Sequence, residues 1–95
     1  MDIELTGDVW EWRGPAPHHF VWVPDEQSAA IESVSPAVTY GWGMIPVTGR
    51  IGKTTFTTSL WPKDGRYVVP IKAAVRRAER IDLGDVITIR LTLDL

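Results

Sequence analysis

Short segments in which apolar and polar residues alternate recur along the sequence, and a period of two is the pattern of strands with one buried face. In the clearest segment, near the end of the chain, Ile87, Ile89 and Leu91 share one face and Thr88 and Arg90 share the other. Proline and glycine separate these segments, because proline cannot donate to a strand ladder and glycine favours turns. The pattern predicts strands at residues 3–13, 19–23, 42–51, 53–61, 67–69 and 86–93.

The first predicted strand changes its apolar face partway along. Ile3 and Leu5 have one parity, whereas Trp10 and Trp12 have the other. An extra residue in a strand moves every later side chain to the opposite face, and glycine tolerates the geometry of such a bulge. We therefore predict a β-bulge at Gly7-Asp8.

Two prolines, Pro24 and Pro70, follow predicted strands and open predicted helices, because proline suits the first helical turn. The sequence Ser35-Pro36 is expected to end the first helix. The expected apolar faces are Ala30, Ile31 and Val34 in the first helix, and Ile71, Ala74, Val75 and Ala78 in the second.

A type I turn is predicted at Pro62-Lys63-Asp64-Gly65. Many short strands with two short helices predict a mainly β fold, a small barrel with helical caps.

Length and composition limit the cellular context. With 95 residues the chain can form one domain, residues 1–95, and not two. It contains no cysteine, which excludes disulfides and cysteine-based metal sites and fits a reducing cytoplasm. The acidic N-terminus does not resemble a signal peptide, and no apolar run approaches the roughly 20 residues that cross a bilayer. We expect a cytoplasmic protein that does not bind membranes.

The charges are divided unevenly along the chain. Residues 1–35 hold seven acidic residues and one basic residue, a balance of −6, whereas residues 36–95 hold nine basic and five acidic residues, a balance of +4. We expect the two segments to pack together and partly neutralise each other. The net charge of −2 leaves no global basic footprint, so nucleic acid is an unexpected partner.

Three motifs with possible chemistry have simpler structural explanations. Gly52-Lys53-Thr54 resembles the end of a phosphate-binding loop, but Val47 stands where that loop needs its first glycine, so a tight strand connection is expected. His18 and His19 are neighbours in an extended segment and point to opposite sides, which is poor geometry for a shared metal. The serines have no evident base beside them. We expect no metal, no cofactor and no catalytic residue.

Two features remain as candidate binding elements. The five tryptophans, Trp10, Trp12, Trp22, Trp42 and Trp61, are many for this length, and most are expected to fill the barrel core, with Trp12 and Trp61 favoured for a ligand pocket at strand ends. Lys72, Arg76 and Arg80 are spaced by four residues, which predicts a basic ridge on the second helix with Arg77 beside it. Such a ridge complements the helix dipole and can also contact an anion or an acidic partner.

Three stretches are distinctive together, namely WEWRGPAPHHFVWVP, GWGMIPVTGRIG and TSLWPKDGRYVVPIKAAVRRAERIDLGDVITIRL. Over nearly the whole chain they resemble the bacterial family known as domain of unknown function 1905. The resemblance implies a closed double-split β-barrel of about six to seven strands capped by two short α-helices, distantly similar in shape to AbrB-like regulators and antitoxins. Two chains build one barrel in those regulators, whereas one chain here carries both halves, so we expect a monomer. The resemblance brings no established activity.

These features favour a non-enzymatic binding module for an anionic small molecule or a protein partner. The candidate binding residues are Ser59, Trp61, Lys63, Tyr67, Lys72, Arg76 and Arg80. One alternative is an AbrB-like DNA-binding or antitoxin-type regulator, which rests on fold analogy. A further alternative is an enzyme that uses Ser59, Lys63 and Tyr67, which requires these side chains to lie within hydrogen-bond reach.

Overall fold

The structure, a computed structural model, describes residues 1–15, 17–38 and 43–94, with the backbone alone at residues 37 and 38. Six strands and two helices follow one another along the chain. They are β1 (Asp2–Trp12), β2 (His18–Trp22), α1 (Asp25–Val38), β3 (Ile45–Ile51), β4 (Thr54–Lys63), β5 (Arg66–Pro70), α2 (Ala73–Glu79) and β6 (Val86–Leu93). Each predicted strand has a counterpart, and β6 has the predicted bounds. The predicted strand start at Trp42 lies outside the described residues.

The strands form a closed barrel in the order β1-β2-β5-β4-β3-β6, and every neighbouring pair is antiparallel. Closure removes the unpaired edges that an open sheet would expose. The mainly β class, the closed barrel and the two helices are therefore confirmed. Strands β2 and β5, which lead into the two helices, lie side by side, with Val21 opposite Val69.

The predicted bulge at Gly7-Asp8 is wrong. Strand β1 pairs with β6 up to Asp8 and with β2 from Val9 onward. Ile3, Leu5 and Val9 all join the interior core, so the interior face keeps one parity. Gly7 faces the interior too, because a Cβ at this position would lie 2.9 Å from Val21 Cγ1. The change in the sequence pattern arises because the exterior face becomes aromatic from Trp10 onward.

The barrel interior is mainly aliphatic, and its core cluster also includes Tyr67. Alternate residues of all six strands point inward, and Ile45, Leu60, Ile89 and Leu91 are completely enclosed. Contributions from the helices include Ile31 of α1 and Val75 of α2. The predicted strand at residues 86–93 turns its apolar face inward, as expected. This face consists of Ile87, Ile89, Leu91 and Leu93.

The two helices cover opposite ends of the barrel. Helix α1 lies near the first residue of β5, where Asp25 pairs with Arg66 at 3.5 Å. Helix α2 lies near the first residue of β4, where the Thr54 hydroxyl donates to Glu79 Oε2 at 2.5 Å. The starts of these two antiparallel strands are at opposite ends of the barrel.

Both helices differ from their predicted limits. Helix α1 continues through Pro36 to Val38, since a proline near the last turn removes only one backbone hydrogen bond. Helix α2 is shorter, because Lys72 is extended and Arg80 adopts a left-handed conformation with φ of 53°. The predicted ridge is therefore not on one regular helix. On the apolar face predicted for the second helix, Ile71 and Val75 are buried, whereas Ala74 and Ala78 are exposed. Ile81, which follows α2, packs into the core instead.

The β4–β5 connection is tighter than the predicted four-residue turn. Strand β4 runs through Pro62 to Lys63, and only Asp64 and Gly65 form the turn. Both have positive φ, 50° and 76°, as a two-residue hairpin turn with an Asp-Gly sequence requires.

Candidate functional site

Aromatic side chains cover the exterior of the barrel where β1, β2, β5 and β4 meet. Trp10 stacks on Trp22 with ring centroids 5.2 Å apart, and Phe20 lies 5.4 Å from Trp10 and 5.2 Å from Trp61. His18 extends this aromatic layer, 4.9 Å from Trp61 and 6.4 Å from Trp12. The expectation that most tryptophans fill the core is wrong for the four that the structure describes, because strand alternation turns them outward; Trp42 lies outside the described residues.

The aromatic layer encloses its own buried residues. Phe20 and Val68 are 1% and 0% exposed, yet neither belongs to the interior core cluster. They are covered from outside by the rings of Trp12 and Trp61, which line the same depression. The sheet is therefore buried on both faces at this place, and the outer side chains hold the fold together as well as forming a surface.

A cavity of about 440 Å³ opens beside this layer. It brings together three of the candidate residues, Ser59, Trp61 and Lys72. The other lining residues are His18, Met44, Thr57, Thr58 and Pro70. The cavity thus combines aromatic rings, hydroxyl groups and one ammonium group, which can hold an apolar or planar group next to a negative charge.

Two further depressions share walls with this cavity. One, of about 290 Å³, adds His19 and Arg76 beside His18 and Lys72. The other, of about 120 Å³, lies between Trp12, Trp61 and Lys63. The Lys63 ammonium is 5.8 Å from the centroid of the Trp12 ring, within the range of a cation–π contact.

A fourth depression continues along α2. It has about 320 Å³ and is lined by Arg76, Arg77, Arg80 and Asp82, among others. The Arg76 Nη1 donates to the Ile71 carbonyl at 2.6 Å, which fixes its guanidinium between the second and fourth depressions. We call the four connected depressions the aromatic-basic groove, and six of the seven candidate residues line it, namely Ser59, Trp61, Lys63, Lys72, Arg76 and Arg80.

The seventh candidate, Tyr67, lies elsewhere. It belongs to the interior core cluster, and its backbone N–H donates to Ser28 Oγ of α1 at 3.3 Å. Burial raises the pKa of the Tyr67 phenol above 10.0, the charge of Glu32 raises this pKa further, and a hydrogen bond with Ser35 partly offsets both effects. The phenol is thus a neutral group under α1, and the barrel wall separates it from Ser59 and Lys63. The structure does not assemble a cluster of these three side chains.

The cations of the groove have no carboxylate partners among the residues that the structure describes. The ion pairs among the described residues are Arg13 with Glu11, Arg66 with Asp25, and Arg90 with Glu4. Lys63, Lys72, Arg76, Arg77 and Arg80 take part in none of them. The acidic residues lie mainly on β1 and α1, and two of these ion pairs, Arg66 with Asp25 and Arg90 with Glu4, join the acidic segment of the sequence to the basic one, as expected.

No group of three or more potential metal ligands occurs among residues 1–15, 17–38 and 43–94. His18 belongs to the exterior aromatic layer, whereas His19 is opposite Glu11 in the next position of the ladder. Gly52 and Lys53 form the two-residue turn between β3 and β4, and Thr54 begins β4. The segment Gly52-Lys53-Thr54 is therefore a strand connection.

Five residues that line the cavity of about 440 Å³ are not among the candidate residues, namely His18, Met44, Thr57, Thr58 and Pro70. His18, Thr57 and Pro70 reach this cavity from three strands because β2 and β4 both flank β5. The sequence does carry a signal for His18. His18, Phe20 and Trp22 occupy alternate positions of β2, so their rings lie on one face of that strand.

Comparisons with known proteins agree with this description. No curated protein matches the chain. In the part of the chain that is described, no helix is long and apolar enough to span a membrane. The family model described as Domain of unknown function (DUF1905) matches residues 6–91. Because this match covers nearly the whole chain, and the barrel agrees with the expected shape, the protein belongs to the DUF1905 family.

Proposed function

We propose that the protein is a non-enzymatic binding module for an anionic ligand, which it holds in the aromatic-basic groove. The observation that carries this proposal is the cavity of about 440 Å³ in which His18 and Trp61 stand beside Lys72. Small-molecule sites have volumes of roughly 300–1,000 Å³ and combine apolar walls with a few polar groups. This cavity has both properties.

The charge of the groove favours an anion. A cation without a carboxylate partner can pair with a ligand without first breaking an internal ion pair, and Lys72 and Arg76 both meet this condition among the described residues. Lys72 is exposed and extended at the start of α2, with no side-chain hydrogen bond to the helix end. Arg76 is already held by the Ile71 carbonyl, so binding costs little of its side-chain entropy.

The enzymatic alternative requires Ser59, Lys63 and Tyr67 to lie within hydrogen-bond reach of one another. Tyr67 lies across the barrel wall from the other two residues, so this requirement is not met. The regulator alternative rests on two-chain barrels, and the strands of this one chain close a barrel by themselves. A binding role uses the groove as it stands and requires no base or nucleophile.

Thermal unfolding and tryptophan fluorescence test the proposal directly. The probes are pyrophosphate, adenosine monophosphate, uridine monophosphate, citrate and naphthalene sulfonate, each at low and high salt. A ligand at 100 times its Kd stabilises the folded state by about 2.7 kcal/mol, which raises the Tm of a domain of this size by about 10–20 °C. We expect at least one probe to do so in a salt-sensitive manner.

Matched variants locate the binding. Lys72→Ala is expected to abolish the shift, whereas Lys53→Ala, which removes an exposed charge in the β3–β4 turn, keeps it. Trp61→Leu removes a ring from the cavity and Trp61→Phe retains one. A shift that survives Lys72→Ala and Trp61→Leu together contradicts the proposal, and so does the absence of binding by all five probes and by longer anions.

A further inference from the structure

The aromatic-basic groove is longer than a small molecule requires. Its aromatic part runs through Trp12, His18 and Trp61, and its basic part runs from Lys72 through Arg76 along α2. Consecutive depressions share lining residues, so the path is continuous. Among the described residues that line the four depressions, one carboxylate, that of Asp82, is found beside five cations, which are Lys63, Lys72, Arg76, Arg77 and Arg80.

We propose that the ligand of this groove is a single-stranded nucleic acid, whose bases contact the rings and whose phosphates contact the cations. This inference rests on the proposed function and names its ligand class. Proteins that bind single strands combine aromatic side chains, on which bases stack, with a basic path that follows the backbone. The groove has these two components side by side.

The rings form a layer that a single strand can contact more readily than a duplex. Trp12, His18 and Trp61 pack on one another, with centroids 6.4 Å apart between Trp12 and His18 and 4.9 Å apart between His18 and Trp61. A base therefore contacts the outer side of this layer. The unpaired bases of a single strand can turn outward to make such a contact, whereas the bases of a duplex are paired and stacked on one another.

The exposure of the rings is graded along the path. Trp12, 36% exposed, is at the outer end of the groove, and His18 and Trp61 are half-buried nearer the basic part. Trp12 packs against Gly14, where an added Cβ would overlap the indole ring. This contact restricts the ring on one side, which reduces the entropy that it loses when a base stacks on it.

An acidic peptide is the competing ligand, and the groove fits it less well. Its carboxylates would pair with Lys72 and Arg76, but nothing in such a peptide requires the rings of Trp12, His18 and Trp61. A mononucleotide would fill the central cavity and leave the Arg77 and Arg80 end unused. A strand of nucleotides uses both parts.

The test is fluorescence anisotropy with a labelled oligothymidylate and a labelled oligouridylate of ten nucleotides. The longest dimension of the molecule is 34 Å, which about ten nucleotides span at about 3.4 Å each. If three or four phosphates are contacted, log K falls against log salt with a slope of about −2 to −3 between about 50 and about 200 mM salt. Replacing both Lys72 and Arg76 by alanine should make this slope less steep by about 1.4.

Ring variants separate stacking from simple charge attraction. Trp12→Leu and Trp61→Leu should each weaken binding by about 5- to 150-fold with the salt slope unchanged, and Trp61→Phe should retain most of the affinity. Lys53→Ala should bind within about twofold of the parent, since Lys53 lies in the β3–β4 turn. Circular dichroism of each variant verifies folding.

The outcomes that overturn the inference are distinct from those that overturn the proposed function. If a mononucleotide or pyrophosphate shifts the Tm but neither oligonucleotide binds, the groove is a small-molecule site and the inference fails alone. If polyglutamate or a duplex competes as well as the single strand, or if the tryptophan variants bind normally, charge alone explains binding and the inference fails. If no anion of any kind binds, both proposals fail.

Discussion

The exterior aromatic layer predicts a large loss of stability from a substitution outside the barrel interior. Phe20 is 1% exposed, and its ring lies within 5.7 Å of the rings of Trp10, His18 and Trp61. Truncation of a buried phenylalanine to alanine costs about 3–5 kcal/mol. Because the covering side chains lie at the surface and can partly close the gap, we expect Phe20→Ala to cost about 3 kcal/mol.

A loss of about 3 kcal/mol is a large share of the free energy of unfolding of a domain of this size. A domain of 95 residues has a free energy of unfolding of roughly 5–14 kcal/mol, so the variant should also melt about 10–25 °C lower. Urea unfolding followed by far-ultraviolet circular dichroism measures the change without depending on the tryptophans that the substitution disturbs.

Two control variants define the comparison. Phe20→Leu keeps most of the apolar volume but loses the ring contacts, so it should cost about 1–2 kcal/mol. Ile89→Ala removes an interior side chain that is 0% exposed and should cost about 2–5 kcal/mol. A cost below about 1 kcal/mol for Phe20→Ala, alongside a normal cost for Ile89→Ala, would refute the view that the aromatic layer is a second core.

Three other predictions follow from turns and titration. Gly65→Ala should cost about 1 kcal/mol in urea unfolding from backbone strain alone, since φ is 76° and nothing lies within 4 Å of the added Cβ; a neutral result would contradict this. Gly52→Ala should cost about 2 kcal/mol, because its Cβ would lie 2.2 Å from Glu79 Oε1 and displace the carboxylate that accepts from Thr54; a cost no larger than that of Gly65→Ala would argue against that contact. Burial holds the pKa of Tyr67 above 10.0, so the stabilising contribution of its neutral phenol is complete below pH 10.0 and lost as pH rises through the raised pKa. Unfolding of the parent and Tyr67→Phe between about pH 8 and about pH 11 should show a steeper loss in the parent, and parallel curves would contradict the assignment.

The strand framework could be predicted from the sequence because alternation is a local property. The segment 86–93 needs no information from elsewhere in the chain, and its observed strand has those bounds. The ends of the helices were harder to predict. Pro36 lies inside α1 and Arg80 ends α2 in a left-handed conformation, and both depend on packing at the barrel ends as much as on local propensity.

The faces of the strands could not be assigned from alternation alone. In β2, Phe20 and Val21 are both buried, one under the exterior aromatic layer and the other inside the barrel. A strand that is buried on both sides shows no polar face to mark the outside. Size therefore predicts that most tryptophans lie inside the barrel, whereas the four that the structure describes lie outside.

The groove depends on strand order, which local patterns do not determine. His18 of β2 and Trp61 of β4 are neighbours because β5 lies between their strands, although 43 positions separate them in the numbering. The candidates Ser59, Trp61 and Lys72 were identified from the chain, but the histidine that joins them required the pairing of β2 with β5.

Net charge was the least informative part of the sequence, and the reason is geometric. A sum of −2 does not describe the groove, where Lys72, Arg76 and Arg80 line the depressions along α2 together with Asp82. At physiological salt the Debye length is about 8 Å, much less than the 34 Å length of the molecule. A ligand in the groove therefore responds to the nearby cations and is screened from the distant carboxylates. The expectation that nucleic acid is an unsuitable partner depends on the net charge, whereas binding in the groove depends on the local charge. The salt slope of oligonucleotide binding measures the local charge directly, and its change in the Lys72 and Arg76 double variant distinguishes the two descriptions.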